Sequence, residues 1–115
     1  SLFLHDIRKS ALQETRKRMK KAGIQNVQFV LPKHKVDWVL VDAPCSGTGT
    51  LRRSPEMKWR LTLKELDKLV LTQREVFGAA LKFLKNGGRI VYATCSILKR
   101  ENQDQMDFFL KNYPL

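Results

Sequence analysis

Residues Val36 to Val41 read VDWVLV, a run that is apolar on both alternating faces apart from Asp37. A strand with one wet side alternates apolar with polar residues. A strand without a polar side belongs in a parallel sheet that is covered above and below. Trp38, inside this run, is therefore expected in the core. The flanking sequence supplies the covering elements. Ser1 to Asp6 is a short apolar strand ending in an acid. Ser10-Ala11-Leu12-Gln13 has the form of a helix capping box, with Leu12, Thr15, Met19 and Ala22 following at helical spacing and Gly23 as the stop. Val27 to Leu31 reads as a strand closed by Pro32. After a loop rich in Gly, Ser and Pro from Asp42 to about Arg60, Thr62-Leu63-Lys64-Glu65 is a second capping box. Leu66, Leu69, Val70, Gln73, Phe77, Ala80, Leu81 and Leu84 then recur every three to four residues, and Asn86-Gly87-Gly88 is expected to end that helix. Arg89 to Thr94 is another strand, and Glu101 to about Asn112 a last amphipathic helix. The order β-α-β-β-α-β-α predicts an open, mostly parallel α/β sheet with flanking helices. No repeat or linker interrupts it, so residues 1–115 are expected to be one domain.

Composition narrows the partners. The 115 residues hold 22 Lys and Arg against 11 Asp and Glu, a formal charge of +11. Such a charge suits a polyanion, most simply nucleic acid. No apolar run approaches the roughly 20 residues of a membrane helix, and no basic-then-apolar leader opens the chain. A cytoplasmic location is expected, with no membrane partner. Two Cys and two His, without metal spacing, exclude a disulfide scaffold and predict no metal site.

In open α/β sheets ligands bind beyond the carboxyl ends of the strands. Three features fall there: Asp6 after the first strand, Asp42-Ala43-Pro44-Cys45-Ser46-Gly47-Thr48-Gly49 after the third, and Thr94-Cys95-Ser96 after the fourth. Both cysteines thus leave strand ends. They read as buried thiols, as a redox pair, or as reactive nucleophiles. A thiolate can add to C6 of a pyrimidine and make C5 nucleophilic, and an acid near N3 eases the charge that develops. A second thiol can help the adduct collapse. The base must be swung into a pocket, with basic residues holding its phosphates.

Asp42 to Gly49, Arg52-Arg53-Ser54-Pro55, Lys58-Trp59, Gln73, Leu84 to Gly88, Tyr92-Ala93-Thr94-Cys95-Ser96 and Glu101-Asn102 together resemble the RNA cytosine-5 methyltransferases, the bacterial Sun/Fmu-type ribosomal RNA enzymes and their eukaryotic nucleolar relatives. The resemblance runs through nearly the whole chain in order and spacing. It implies a Rossmann-like S-adenosylmethionine-dependent methyltransferase fold, present in part. It implies that Cys95 is the nucleophile on cytosine C6, that Cys45 releases the methylated RNA, and that Asp42 contacts the N3 and amino edge. Asp6 would bind the ribose hydroxyls of the cofactor S-adenosylmethionine, with Asp42 and Pro44 shaping that edge of the site. The substrate would be RNA, ribosomal RNA ahead of transfer RNA.

The family's first strand and its glycine-rich cofactor loop have no counterpart here, and Gly47 and Gly49 stand in a different loop. The isolated 115 residues are therefore expected to bind cofactor weakly. Arg52, Arg53, Lys58 and Arg60, in the loop that follows Cys45, are the expected RNA contacts. The basic run from Arg8 to Lys21 reads equally as RNA-binding or as a solvated helix face. Trp59 reads as a base-stacking residue or as packing on the sheet. A non-catalytic RNA-binding module is the rival reading, and it gives no reason for Asp42, Cys45 and Cys95 to stand together.

Overall fold

The computed structural model describes residues 1–115 and divides into two compact units, Ser1–Lys35 and Val36–Leu115. In the first, Leu2–Phe3 (β1) and Val27–Gln28 (β2) pair in parallel, Leu2 opposite Val27 and Phe3 opposite Gln28. The crossover is helix α1, Lys9–Lys21. The first capping box does not form. Ser10 lies inside the helix, and Arg8 occupies the cap position. The reason is Asp6, whose carboxylate accepts from the Arg8 amide at 2.8 Å and turns the chain two residues earlier. The other end is as expected. Gly23 takes a φ of +70°, its amide donates to the Lys20 carbonyl, and the Ile24 amide donates to the Met19 carbonyl, a Schellman closure that favours glycine. No residue of α1 is fully buried, so its basic run is a solvated face in this unit.

In the second unit, Val36–Asp42 (β3) pairs in parallel with Leu84–Ala93 (β4). Between them come a one-turn helix, Met57–Arg60 (α2), and the long helix Leu63–Leu81 (α3); Gln103–Asn112 (α4) follows β4. The second capping box is complete: Thr62 Oγ1 accepts from the Glu65 amide at 3.2 Å, and Glu65 Oε2 accepts from the Thr62 amide at 3.1 Å. α3 ends before the Asn-Gly-Gly signal. Lys82 caps it, and Asn86 to Gly88 lie within β4, where the register with β3 shifts between Val36 and Trp38. Gly87, at φ +75°, makes that irregularity possible.

The core sits on one face of this two-stranded sheet. Val39 and Val41 from β3 and Ile90 and Tyr92 from β4 pack on Phe77 of α3 and Phe109 of α4. The two Phe rings stack at 3.7 Å between centroids and are almost fully buried. Full burial of each ring is worth about 1.5–3 kcal/mol. The opposite face corrects the expectation for Trp38. Trp38 and Leu40 are 61% and 70% exposed, because α3 and α4 both lie against the other face and no element of Val36–Leu115 covers this one. Arg89, opposite Trp38 in the ladder, holds its guanidinium 5.3 Å from the Trp38 ring. No helix is long and apolar enough to cross a membrane.

Candidate active site

β3 and β4 end level with each other, Asp42 opposite Ala93, and the Ala43 amide extends the ladder by donating to the Ala93 carbonyl at 2.9 Å. Level strand ends bring the next few residues together. Cys45 and Cys95, both free, approach to 3.2 Å between sulfurs, close enough to share a proton. Cys95 is exposed and Cys45 half-buried. Burial pushes the Cys45 thiol above the ordinary value of 9.0, and the hydrogen bond to Cys95 adds to this; the Gly47 and Cys95 amides pull the other way without cancelling it. Cys45 therefore holds its proton at neutral pH, and Cys95 is the sulfur presented outward.

The two cysteine loops are stitched together. The Gly49 amide donates to the Cys95 carbonyl at 2.9 Å, and a Cβ on Gly49 would stand 2.7 Å from that oxygen, so only glycine allows the approach. Thr48 Oγ1 accepts from the Ile97 amide at 3.1 Å. Beneath them lies Glu101, wholly buried. Its Oε1 accepts from the Ser46 amide at 2.8 Å and from Gln73 Nε2 at 3.0 Å. Its Oε2 accepts from Ser46 Oγ at 2.5 Å and from Ser96 Oγ. Burial raises the pKa of this carboxyl, but the donors from Ser46, Ser96 and Gln73 together outweigh it and hold the group below its ordinary value of 4.5. Gln73 Nε2 also reaches the Pro44 carbonyl at 2.9 Å, and Gln105 Nε2 donates to Gln73 Oε1 at 2.9 Å. Tyr92 donates its hydroxyl to the Glu101 carbonyl, and burial, with the Glu101 charge, pushes the phenol up to about 12.

Sequence reasoning missed Glu101 and Gln73 as site residues. Both stand among the residues that carry the family resemblance, with no role assigned to either. The available signal was Gln73, a polar side chain on the inward stripe of α3, where a partner is needed.

The expected site residues divide between the two units. Asp42, Pro44, Cys45 and Cys95 share one edge of the second unit, Asp42 and Pro44 exposed. Asp6 belongs to the first, where Arg8 clasps it through Nε at 3.1 Å and Nη2 at 2.9 Å. That guanidinium and the Arg8 amide hold its carboxyl at about 2. Arg52, Arg53, Lys58 and Arg60 are all exposed. Arg60 and Lys68 border an open, apolar-floored cavity of about 440 Å³ that also touches Cys45, Met57 and Leu61. Trp59 does not pack on the sheet; it is 83% exposed, with Lys58 Nζ 5.4 Å from its ring centre.

Residues 4–114 match the family model described as 16S rRNA methyltransferase RsmB/F. The chain belongs to this family. Two curated relatives are ribosomal RNA small subunit methyltransferase B from Pectobacterium carotovorum subsp. carotovorum (strain PC1), 48% identical over 77 residues, and from Yersinia pseudotuberculosis serotype O:1b (strain IP 31758), 47% identical over 78 residues. These alignments cover 67% and 68% of this chain, and the chain spans 18% of each relative. Among solved structures, a methyltransferase homolog protein from Pyrococcus horikoshii superposes with a TM-score of 0.80 at 28% identity, over 96% of this chain and 36% of that one. The crystal structure of PH0851 superposes at 0.89 with 32% identity, over 98% of this chain and 28% of its own. The fold is accordingly a partial α/β methyltransferase fold with parallel strands and flanking helices.

Proposed function

We propose that residues 1–115 are part of the catalytic domain of an S-adenosylmethionine-dependent RNA (cytosine-5) methyltransferase that acts on ribosomal RNA. The observation that carries this reading is the pair of free thiols held 3.2 Å apart at level ends of adjacent parallel strands. A methyltransferase that needed only proximity would have no use for two touching sulfurs. A pyrimidine adduct does: one sulfur bonds to carbon and the other works on that bond.

In this reading Cys95 Sγ, the exposed sulfur, attacks C6 of the cytosine. The C5=C6 electron pair moves toward C5, and Asp42 meets the N3 and amino edge as charge builds there. Bound S-adenosylmethionine supplies the methyl group. Cys45 assists the elimination, in which the C5 proton leaves, the C5=C6 bond reforms and the Cys95 sulfur departs with its electron pair. Asp6 would accept the ribose hydroxyls of the cofactor through the carboxylate lone pairs that Arg8 leaves open. Asp42 and Pro44, exposed at the sheet edge, would shape the cofactor side of the site. Arg52, Arg53, Lys58 and Arg60 would hold the phosphates of the bound strand.

Cys45→Ala in the full-length protein is the test. With cofactor and ribosomal RNA, an adduct that survives denaturation should accumulate, and Cys95→Ala on the same background should abolish it. Failure of any adduct to form in the first variant, with cofactor bound, would remove the covalent mechanism.

A further inference from the structure

We infer that Glu101 is the residue that sets the spacing of the two thiols, a positioning role that rests on the methyltransferase reading above. Its two carboxylate oxygens serve the two cysteine loops. Ser46, next to Cys45, gives it an amide and a hydroxyl; Ser96, next to Cys95, gives it a hydroxyl; and Gln73 ties the same oxygen that holds the Ser46 amide to the carbonyl of Pro44. Cys45 is thereby pinned on both of its flanks and Cys95 on one. A carboxylate offers about four acceptor directions and no donor. Here four donors fill them.

No smaller side chain reproduces this. Alanine would leave the buried Ser46 amide without an acceptor and take from Ser46, Ser96 and Gln73 the one anchor they share, with only the Thr48 hydroxyl and the Pro44 carbonyl left to hold them. Glutamine keeps the length and one acceptor oxygen, and the two serine hydroxyls can rotate to accept from its amide. It should restore much of the spacing without the charge. Every polar side-chain atom buried in this structure has a partner.

The role predicts a chemical signature separate from methyl transfer. Phenylarsine oxide exchanges its oxygen for two As–S bonds, and the two thiol protons leave with that oxygen as water. It binds tightly only where two thiols are already close. In the full-length protein, Cys45→Ala gives the background uptake to subtract. Wild type should take up one arsenical at this pair. Glu101→Ala should weaken that binding by about tenfold or more and lower kcat by about a hundredfold, as misplaced reacting groups do. KM for RNA should stay within about threefold, because binding groups are untouched. Glu101→Gln should recover most of both losses. Ser96→Ala, which cuts only the arm to the Cys95 loop, should move both in the same direction and is the variant to read if Glu101→Ala does not fold. Wild-type arsenical binding in folded Glu101→Ala, or in Ser96→Ala where only that variant folds, overturns the inference. So does lost arsenical binding with kcat unchanged. Normal chelation by wild type without methyl transfer to any cytidine would instead overturn the functional reading, while leaving Glu101 as the spacer of the pair supported.

Discussion

Glu101 holds a charge where no water reaches it, and the donors around it make that charge the favoured form. The sign of the resulting pH dependence follows from linkage. The folded protein binds its proton less readily than the unfolded chain, whose carboxyl sits near 4.5. Stability from this group is therefore complete above that value and lost as pH falls through the lower folded value. In a series of urea unfolding curves, the wild-type midpoint should decline as pH drops below about 4.5, by the linkage slope. Glu101→Gln, which cannot ionise, should show a shallower decline over the same window. Some slope should remain, because Arg8 lowers Asp6 and Lys85 lowers Asp37 in the same direction. An identical slope in both proteins would mean that Glu101 titrates normally. The cysteines at this site were legible in the sequence because each follows a recognisable strand. Their anchor was not, because a buried acid at the start of a helix has the same local pattern as an exposed one. Only the distance to Ser46, 55 residues away, separates the two cases.

Helix α3 carries the element-scale lesson, since two capping-box patterns of the same form had different outcomes. Thr62 caps α3 reciprocally with Glu65, whereas Ser10 was overtaken by the turn that Asp6 makes with Arg8. Thr62→Ala should destabilise the protein by about 1 kcal/mol, the usual worth of such a cap. Ser10→Ala should change stability by less than about 0.5 kcal/mol, as for an exposed position without a special contact. Chemical denaturation of the two variants checks both, and equal effects would contradict the assigned helix starts. The apolar stripe of α3 was readable because it depends on spacing within a few residues, and the parallel pairing because strands and helices alternate along the chain. What was unreadable depends on neighbours. Trp38 and Leu40 have the composition of a covered strand, yet α3 and α4 both lie on the Val39 and Val41 side. Asn86 to Gly88 has the composition of a helix stop, yet β4 absorbs it as a break in register.

At the scale of the whole molecule the +11 charge is not spread evenly in its consequences. Salt dependence separates charges that meet phosphates from charges that only keep a helix face wet, because each neutralised phosphate releases counterions. Arg52 and Arg53 lie exposed in the segment between the Cys45 turn and α2, with Lys58 and Arg60 on α2 itself. The proposed mechanism routes the bound strand past this segment, which follows Cys45 in the chain. On a single-stranded target, each lost phosphate contact should reduce the slope of log affinity against log salt by about 0.7, so Arg52→Ala with Arg53→Ala should reduce it by about 2 × 0.7. Binding of the full-length protein to a ribosomal RNA fragment, titrated at several salt concentrations, measures this. Lys17→Ala with Lys20→Ala on α1 is the matched control: the same charge is removed from a helix with no buried residue. A slope that falls with the α1 pair and not with the Arg52–Arg53 pair would move the RNA path to the first unit. It would also remove the reason for placing a phosphate track beside Cys45.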